Sequence, residues 1–327
     1  MSTIAVTGGT GFVGRVVTDK LLDAGHDVVS LGRSAGGQTV VPADHPRAPA
    51  VRYLVAGNLI NREYGAIIPF GVMALIHCAA RVHVMQDTDA DPLADFLRAN
   101  VNATLSLARH AARRGVERFV YISSTKVNGE RTEPGHPFRS DDVPAPQDAY
   151  GVSKLEAEIA LRALSEETGL AITIICPPLV YGPSAKGNLA LLARLIKSGL
   201  PIPLGGITEN RRSLVSVGNL VDLIVRCTTH SGAINQTFLA GHGDDLSTAA
   251  LMQLMAQAMG RKARLVSVPP SGIRLLTRYA GRPGIAERLC GSLQVDIAAT
   301  QQRLDWTPPW SVRAGLAAAF TPANESR

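Results

Sequence analysis

Tyr150 and Lys154 lie four residues apart in Tyr150-Gly151-Val152-Ser153-Lys154, a spacing that places both side chains on one face of a helix. A free tyrosine hydroxyl has a pKa of about 10 and keeps its proton at neutral pH. A nearby ammonium favours the phenolate, so the pair can give or take a proton beside a carbonyl or an alcohol. Ser124, with Thr125 as second choice, follows the apolar run Phe119 to Ser123 and can offer a hydroxyl to the same oxygen. Alone, such a Tyr–Lys pair is most simply a surface pair on a helix. Downstream of a glycine loop, and with the serine, it reads as a catalytic trio.

That loop is Thr7-Gly8-Gly9-Thr10-Gly11-Phe12-Val13-Gly14, between the first strand-like run and the first helical pattern. Glycine permits the tight turn and lets backbone approach a pyrophosphate, while the helix N-terminus offers free N–H groups to the anion. A dinucleotide is therefore expected on Gly8, Thr10, Gly11, Phe12, Val13 and Gly14. The second strand ends at Gly32, where an NAD site usually carries a carboxylate for the ribose; Arg33 and Ser34 follow and suit a 2′-phosphate instead. NADP (NADPH) is the expected cofactor, with NAD the alternative. Asn58 and Leu59, after the third strand, are expected at the adenine.

These residues need a scaffold, and the chain reads as alternating strands and helices. Strands are expected at Thr3 to Thr7, Val28 to Leu31, Val51 to Val55, Val72 to Cys78, Phe119 to Ser123 and Ala171 to Cys176. Helices are expected at Phe12 to Ala24, Phe96 to Arg114 and Ala149 to Thr168, each followed by glycine. The strands lack polar alternation, so both faces should be covered. The fold class is α/β, a doubly wound parallel Rossmann sheet. After Cys176 prolines break the pattern and short helices follow (Leu189 to Ser198, Leu246 to Met259). Residues 1–176 are read as the dinucleotide domain and 177–327 as a smaller mixed α/β substrate domain, some of whose segments return to the sheet.

Composition excludes other classes. The chain has 327 residues, 33 Lys and Arg against 27 Asp and Glu, and a net charge of +6. No basic run exceeds two residues and aromatics make up only 5%, so nucleic acid is not an expected partner. The four cysteines are dispersed, with no disulfide or metal spacing. With no leader pattern and no apolar stretch of membrane-spanning length, no membrane insertion and a cytoplasmic location are expected.

The segments TGGTGFVG, HCAARV from His77, NVNAT from Asn100, ISSTKVNG from Ile122, YGVSK, PPLVYGP from Pro177 and RSLVSVGNLVD from Arg212 resemble the extended short-chain dehydrogenase/reductases of the nucleotide-sugar epimerase and dehydratase group. The resemblance covers nearly the whole chain and includes RLDWTPPWSV near the C-terminus. It implies roles for Ser124, Tyr150 and Lys154 in catalysis, for Ala79, Asn100 and Pro177 in holding the cofactor, and for Asn188 and Arg212 in holding the nucleotide-sugar substrate; Arg81, after the fourth strand, and Lys126, after Ser124, are expected at its phosphate or sugar by position. The family's dehydratases have an Asp-Glu pair where Thr125 and Lys126 stand, so that reaction is not expected. The stretch from His77, with STKVNGE and DDVPAPQDAYGVSK, is most similar to the UDP-N-acetyl-quinovosamine 4-reductases of lipopolysaccharide O-antigen synthesis. This implies NADPH-dependent reduction of a UDP-4-keto-6-deoxy-hexosamine. An NAD-dependent UDP-sugar 4-epimerase is the alternative, and a non-catalytic NADP-binding regulator ranks below both. The family's dimers, pairing the two long helices, imply a homodimer. His77, Trp306 and Trp310 read as structural residues.

Overall fold

The structure is a computed structural model that describes residues 1–32, 50–55, 68–82, 91–133, 135–183, 188–281 and 283–321. Its main strands are β1 (Thr3–Thr7), β2 (Asp27–Gly32), β3 (Val51–Val55), β4 (Val72–His77), β5 (Arg118–Ile122) and β6 (Ala171–Cys176). Further along come β7 (Leu179–Tyr181), β8 (Leu214–Ser216) and β9 (Thr237–Leu239). Seven form one parallel sheet in the order β3-β2-β1-β4-β5-β6-β9. The doubly wound α/β architecture is as expected. The chain runs outward in one direction from β1 and, after crossing over, in the other from β4. The carboxyl ends of β1 and β4 therefore flank the crevice where ligands of open α/β sheets bind.

Successive residues of each strand face opposite sides. On one side Ile4, Val6 and Ile76 meet Val17 and Leu21 of α1 (Phe12–Asp23) and Leu220 and Ile224 of α6 (Val217–Thr229). On the other, Ala5, Leu75 and Phe119 meet Leu107 and Ala111 of α3 (Ala103–Arg113) and Ala157 and Leu161 of α4 (Ala149–Thr168). Both faces are dry, which accounts for the absence of polar alternation in the strands.

The helix expected from Phe96 differs in detail. It starts earlier as α2 (Pro92–Leu97), capped by Asp91 Oδ1, which accepts from the Ala94 N–H at 3.1 Å. It passes through a π-helical turn, Arg98–Asn102, before continuing as α3. α4 has the expected limits because both are chemically marked. Asp148 Oδ1 accepts from the Gly151 N–H at 2.7 Å, and Gly169 closes the helix in the left-handed region at φ 75°.

Beyond Cys176 the chain divides its residues between two places. β7 and β8 pair in parallel, and α5 (Asn188–Ser198), α7 (Thr248–Ala258) and α11 (Val312–Phe320) enclose a third core, that of the cap, which includes Leu192, Ile196, Met252, Met255 and Leu316. α6 and β9 instead return to the large sheet. Trp306 is buried and its indole N–H donates to Asp222 of α6 at 2.9 Å. Trp310 is half exposed, with its backbone N–H on Asn219 Oδ1.

Candidate active site

The glycine loop is closed on itself and against β4. The Gly11 N–H donates to the Gly8 carbonyl at 2.8 Å, and Gly8 sits at φ +68°. A Cβ on Gly14 would lie 2.2 Å from the Gly8 oxygen, and one on Gly8 would lie 2.9 Å from the Ala79 nitrogen. The spacing of these glycines thus answers to contact between backbones. Thr10 and Gly11 are exposed at the mouth of α1, where no side chain caps the helix and no acid stands in the first turn. That leaves free N–H groups and the positive end of the helix dipole, a setting that fits a pyrophosphate. Phe12 closes the other side: a Cβ on Gly182 would come within 3.3 Å of its ring.

His77 is structural, as expected. Its Nδ1 shares a hydrogen bond with Thr7 at 2.7 Å and its Nε2 one with Thr104 at 3.0 Å. Burial first, then the charge of Lys154, lowers its pKa to about 3, so it is neutral. It locks β1, β4 and α3 together directly beneath the loop.

The trio converges beyond the carboxyl ends of β4 and β5. Ser124 caps a short 3-10 turn, accepting from the Lys126 N–H at 3.2 Å, and its side chain is hydrogen-bonded to the Tyr150 hydroxyl. The Phe96 ring packs edge-on to the Tyr150 ring at 6.1 Å. Lys154 is only 2% exposed. Its ammonium donates to the Ile122 carbonyl at 2.7 Å, lies 4.5 Å from the centroid of the Tyr121 ring and 5.9 Å from that of Tyr150. Burial pulls the Lys154 pKa down to about 8, while the charges of Glu158, Cys176 and Cys78 oppose the fall. The Tyr150 hydroxyl is pushed up by burial and then by Asp148, and only the Ser124 hydrogen bond acts the other way. It is therefore a protonated phenol at neutral pH, seated on Ser124.

Of the two hydroxyls proposed from sequence, Ser124 meets Tyr150. Thr125 is buried, and its N–H donates to the Pro177 carbonyl at 3.1 Å, tying β5 to the start of the cap. Asn100 is buried and fully engaged: its Oδ1 accepts from the Arg81 N–H at 2.8 Å, and its Nδ2 donates to the Arg81 carbonyl and to Ser153 Oγ. It holds the loop after β4 against α4. The Arg81 guanidinium is 3.8 Å from Asp95 and 5.6 Å from the centroid of Phe96. The Lys126 ammonium is taken by Asp148 and by Glu130, the latter at 2.8 Å. Arg212 is half-buried on the cap and donates to the Gly291 carbonyl at 3.2 Å. Asn188 opens α5. Arg33, Ser34, Asn58 and Leu59 lie outside the described residues.

Sequence reasoning missed Glu158, one helical turn beyond Lys154 on the same face. It is 4% exposed, accepts hydrogen bonds from Ser123 and from the Cys176 thiol, and stands 3.5 Å from Arg162. The signal was present as Tyr150, Lys154 and Glu158 at successive intervals of four.

Residues 4–241 match the family described as NAD dependent epimerase/dehydratase family. A UDP-glucose 4-epimerase of Vibrio cholerae is 40% identical over 98% of this chain and 96% of its own length. One of Mycolicibacterium smegmatis is 28% identical over 95% of each. Among solved structures, the UDP-glucose 4-epimerase of Thermotoga maritima with UDP-glucose superposes with a TM-score of 0.76 at 22% identity, over 97% of both chains. That of Thermus thermophilus in complex with NAD gives 0.74 at 22% identity, again over 97% of both.

Proposed function

The chain belongs to the NAD dependent epimerase/dehydratase family, and we propose that it inverts the C4 hydroxyl of a UDP-sugar. The meeting of half-buried Ser124 and Tyr150 with buried Lys154 beside the glycine loop carries this reading. The Vibrio cholerae relative, similar along nearly its whole length and described as a UDP-glucose 4-epimerase, supports it. Bound NAD would supply the acceptor for the C4 hydride and the means of its return. Gly8, Gly11 and Gly14 would bring backbone to its pyrophosphate. Tyr150 rests as the phenol and first gives its proton to solvent; as the phenolate it takes the proton from the C4 hydroxyl and gives it back, and Ser124 holds the same oxygen in line with it. Lys154, a buried cation, is there to favour the phenolate at the moment the proton moves.

One observation favours a second reading, NADPH-dependent reduction of a UDP-4-keto-6-deoxy-hexosamine in O-antigen synthesis. β2 ends at Gly32, where a Cβ would strike the Tyr53 hydroxyl at 1.6 Å. The strand end carries glycine where an NAD site usually has a carboxylate, and Arg33 follows in the sequence. The same trio would then deliver a proton to the developing alkoxide.

The two separate in one experiment. Purified protein is incubated with UDP-glucose and no added cofactor, and in parallel with NADPH and UDP-4-keto-6-deoxy-GlcNAc. Formation of UDP-galactose in the first tube is expected. Its absence, together with NADPH oxidation in the second, would replace epimerisation by reduction.

A further inference from the structure

The net charge of this chain is not spread over it. Residues 261–290 hold seven of the 33 Lys and Arg (Arg261, Lys262, Arg264, Arg274, Arg278, Arg282 and Arg288) and a single acid, Glu287. The other 297 residues carry 26 of each sign and are neutral. The whole +6 therefore resides in a thirty-residue stretch of the cap.

That stretch also exposes the densest group of large apolar side chains among the described residues. It contains α8 (Pro270–Tyr279) and α9 (Pro283–Cys290), which pack on each other and on the cap core through Ile273 and Ala286. Away from the core, Leu275 is 56% exposed, Leu276 59%, Tyr279 84% and Ile285 40%. At about 100° per residue, Tyr279 falls between Leu275 and Leu276 on one arc of α8, and Arg274 and Arg278 run along its flank. Arg274, Arg278 and Arg288 are exposed, and no carboxylate among the described residues pairs with them. A solvated helix face has no use for two leucines and a tyrosine side by side. A nucleic-acid site would not interrupt its cations with them.

We propose that the exposed surface of α8 and α9 docks peripherally on a bilayer that carries anionic lipid. Leu275, Leu276 and Tyr279 reach below the headgroups, and Arg274, Arg278 and Arg288 lie among the lipid phosphates. A short helix with leucine and tyrosine on one arc and arginine on its flank matches the two layers of that interface. No helix among the described residues is long and apolar enough to cross a membrane, so the attachment is to one leaflet and reversible. It is independent of which reaction Tyr150 serves.

The test is sedimentation of the full chain with vesicles of phosphatidylcholine alone and of phosphatidylcholine containing about a quarter phosphatidylglycerol. Binding is expected to the second and not the first, and to weaken as salt is raised. The double variant Arg274→Gln/Arg278→Gln should lower the partition coefficient about 25-fold, at about fivefold per arginine. Leu275→Ser/Leu276→Ser should lower it at least about tenfold. All four side chains are exposed, so both variants should retain wild-type circular dichroism and turnover. Equal binding to neutral and anionic vesicles, no binding to either, or variants that sediment like the wild type would each overturn the proposal. So would a leucine variant that shifts the particle mass in light scattering while wild-type protein ignores vesicles. That result would make the face a contact between copies of the chain.

Discussion

Lys154 illustrates a conflict between stability and chemistry that can be measured. The fold holds its ammonium 2% exposed and lowers its pKa from 10.5 to about 8, chiefly by burial. In the unfolded chain the proton stays on up to the higher value. Between the two values the unfolded state binds more protons, so wild-type stability rises with pH across this window. Below about pH 8 the fold bears the full cost of the buried cation, about 3 kcal/mol at 1.36 kcal/mol per pKa unit. Lys154→Met removes that cost. It also leaves the Ile122 carbonyl without its donor, which costs about 1–3 kcal/mol at every pH. At pH 7 the variant should therefore equal the wild type or exceed it by up to about 2 kcal/mol, with turnover lost. At pH 10, where less than about 1 kcal/mol of the cost remains, it should range from equal to the wild type to less stable by about 2 kcal/mol. Urea unfolding followed by the fluorescence of Trp306, buried against Asp222, reads both. The decisive quantity is the change in the difference between variant and wild type, about 2.5 kcal/mol from pH 7 to pH 10, where the unfolded lysine still keeps most of its proton. A difference that does not move with pH would show that the fold does not hold Lys154 as a costly cation.

Four further outcomes follow from the same geometry. Activity should fall as pH rises through about 8, because Lys154 loses its proton there. In Glu158→Gln, which removes a charge that holds that pKa up, the alkaline limb of kcat/KM should move about one unit toward acid, and an unmoved limb would contradict the coupling. Tyr150→Phe should reduce kcat by about 10²–10⁴-fold while nucleotide binding, followed by calorimetry, persists; a loss below about tenfold would remove Tyr150 from the proton transfer. Gly14→Ala would drive a Cβ to 2.2 Å from the Gly8 oxygen, so nucleotide affinity should drop at least about tenfold with little loss of helix content. Wild-type affinity in that variant would place the dinucleotide elsewhere.

The parts of the fold that were legible in the sequence are those whose ends carry chemistry. β1 stops where the glycines begin, and α4 lies between the Asp148 cap and the left-handed Gly169. β9 was not legible: three residues, Thr237–Leu239, acquire meaning only by extending the sheet edge at β6. The trio was legible because its members are fixed by types and intervals. The engagement of Asn100 with Arg81 and Ser153, and of Lys126 with Asp148 and Glu130, depends on loops whose approach no spacing encodes. α8 was passed over although its apolar and basic residues lie on separate sides, because a ten-residue run between Pro269-Pro270 and Gly281 reads as part of a Pro- and Gly-rich connection.

The π-helical turn at Arg98–Asn102 amounts to one surplus residue threaded into an otherwise continuous helix. A chain lacking that residue could run α2 straight into α3 with every backbone bond still made. The segment upstream would then be rotated by about 100° relative to α3. Phe96 would swing off Tyr150, and the Asn100 position would face away from Arg81 and Ser153. The alignment of α2 with Tyr150 is thus a matter of counting. A single-codon deletion there would leave the helix whole and take its useful face out of phase.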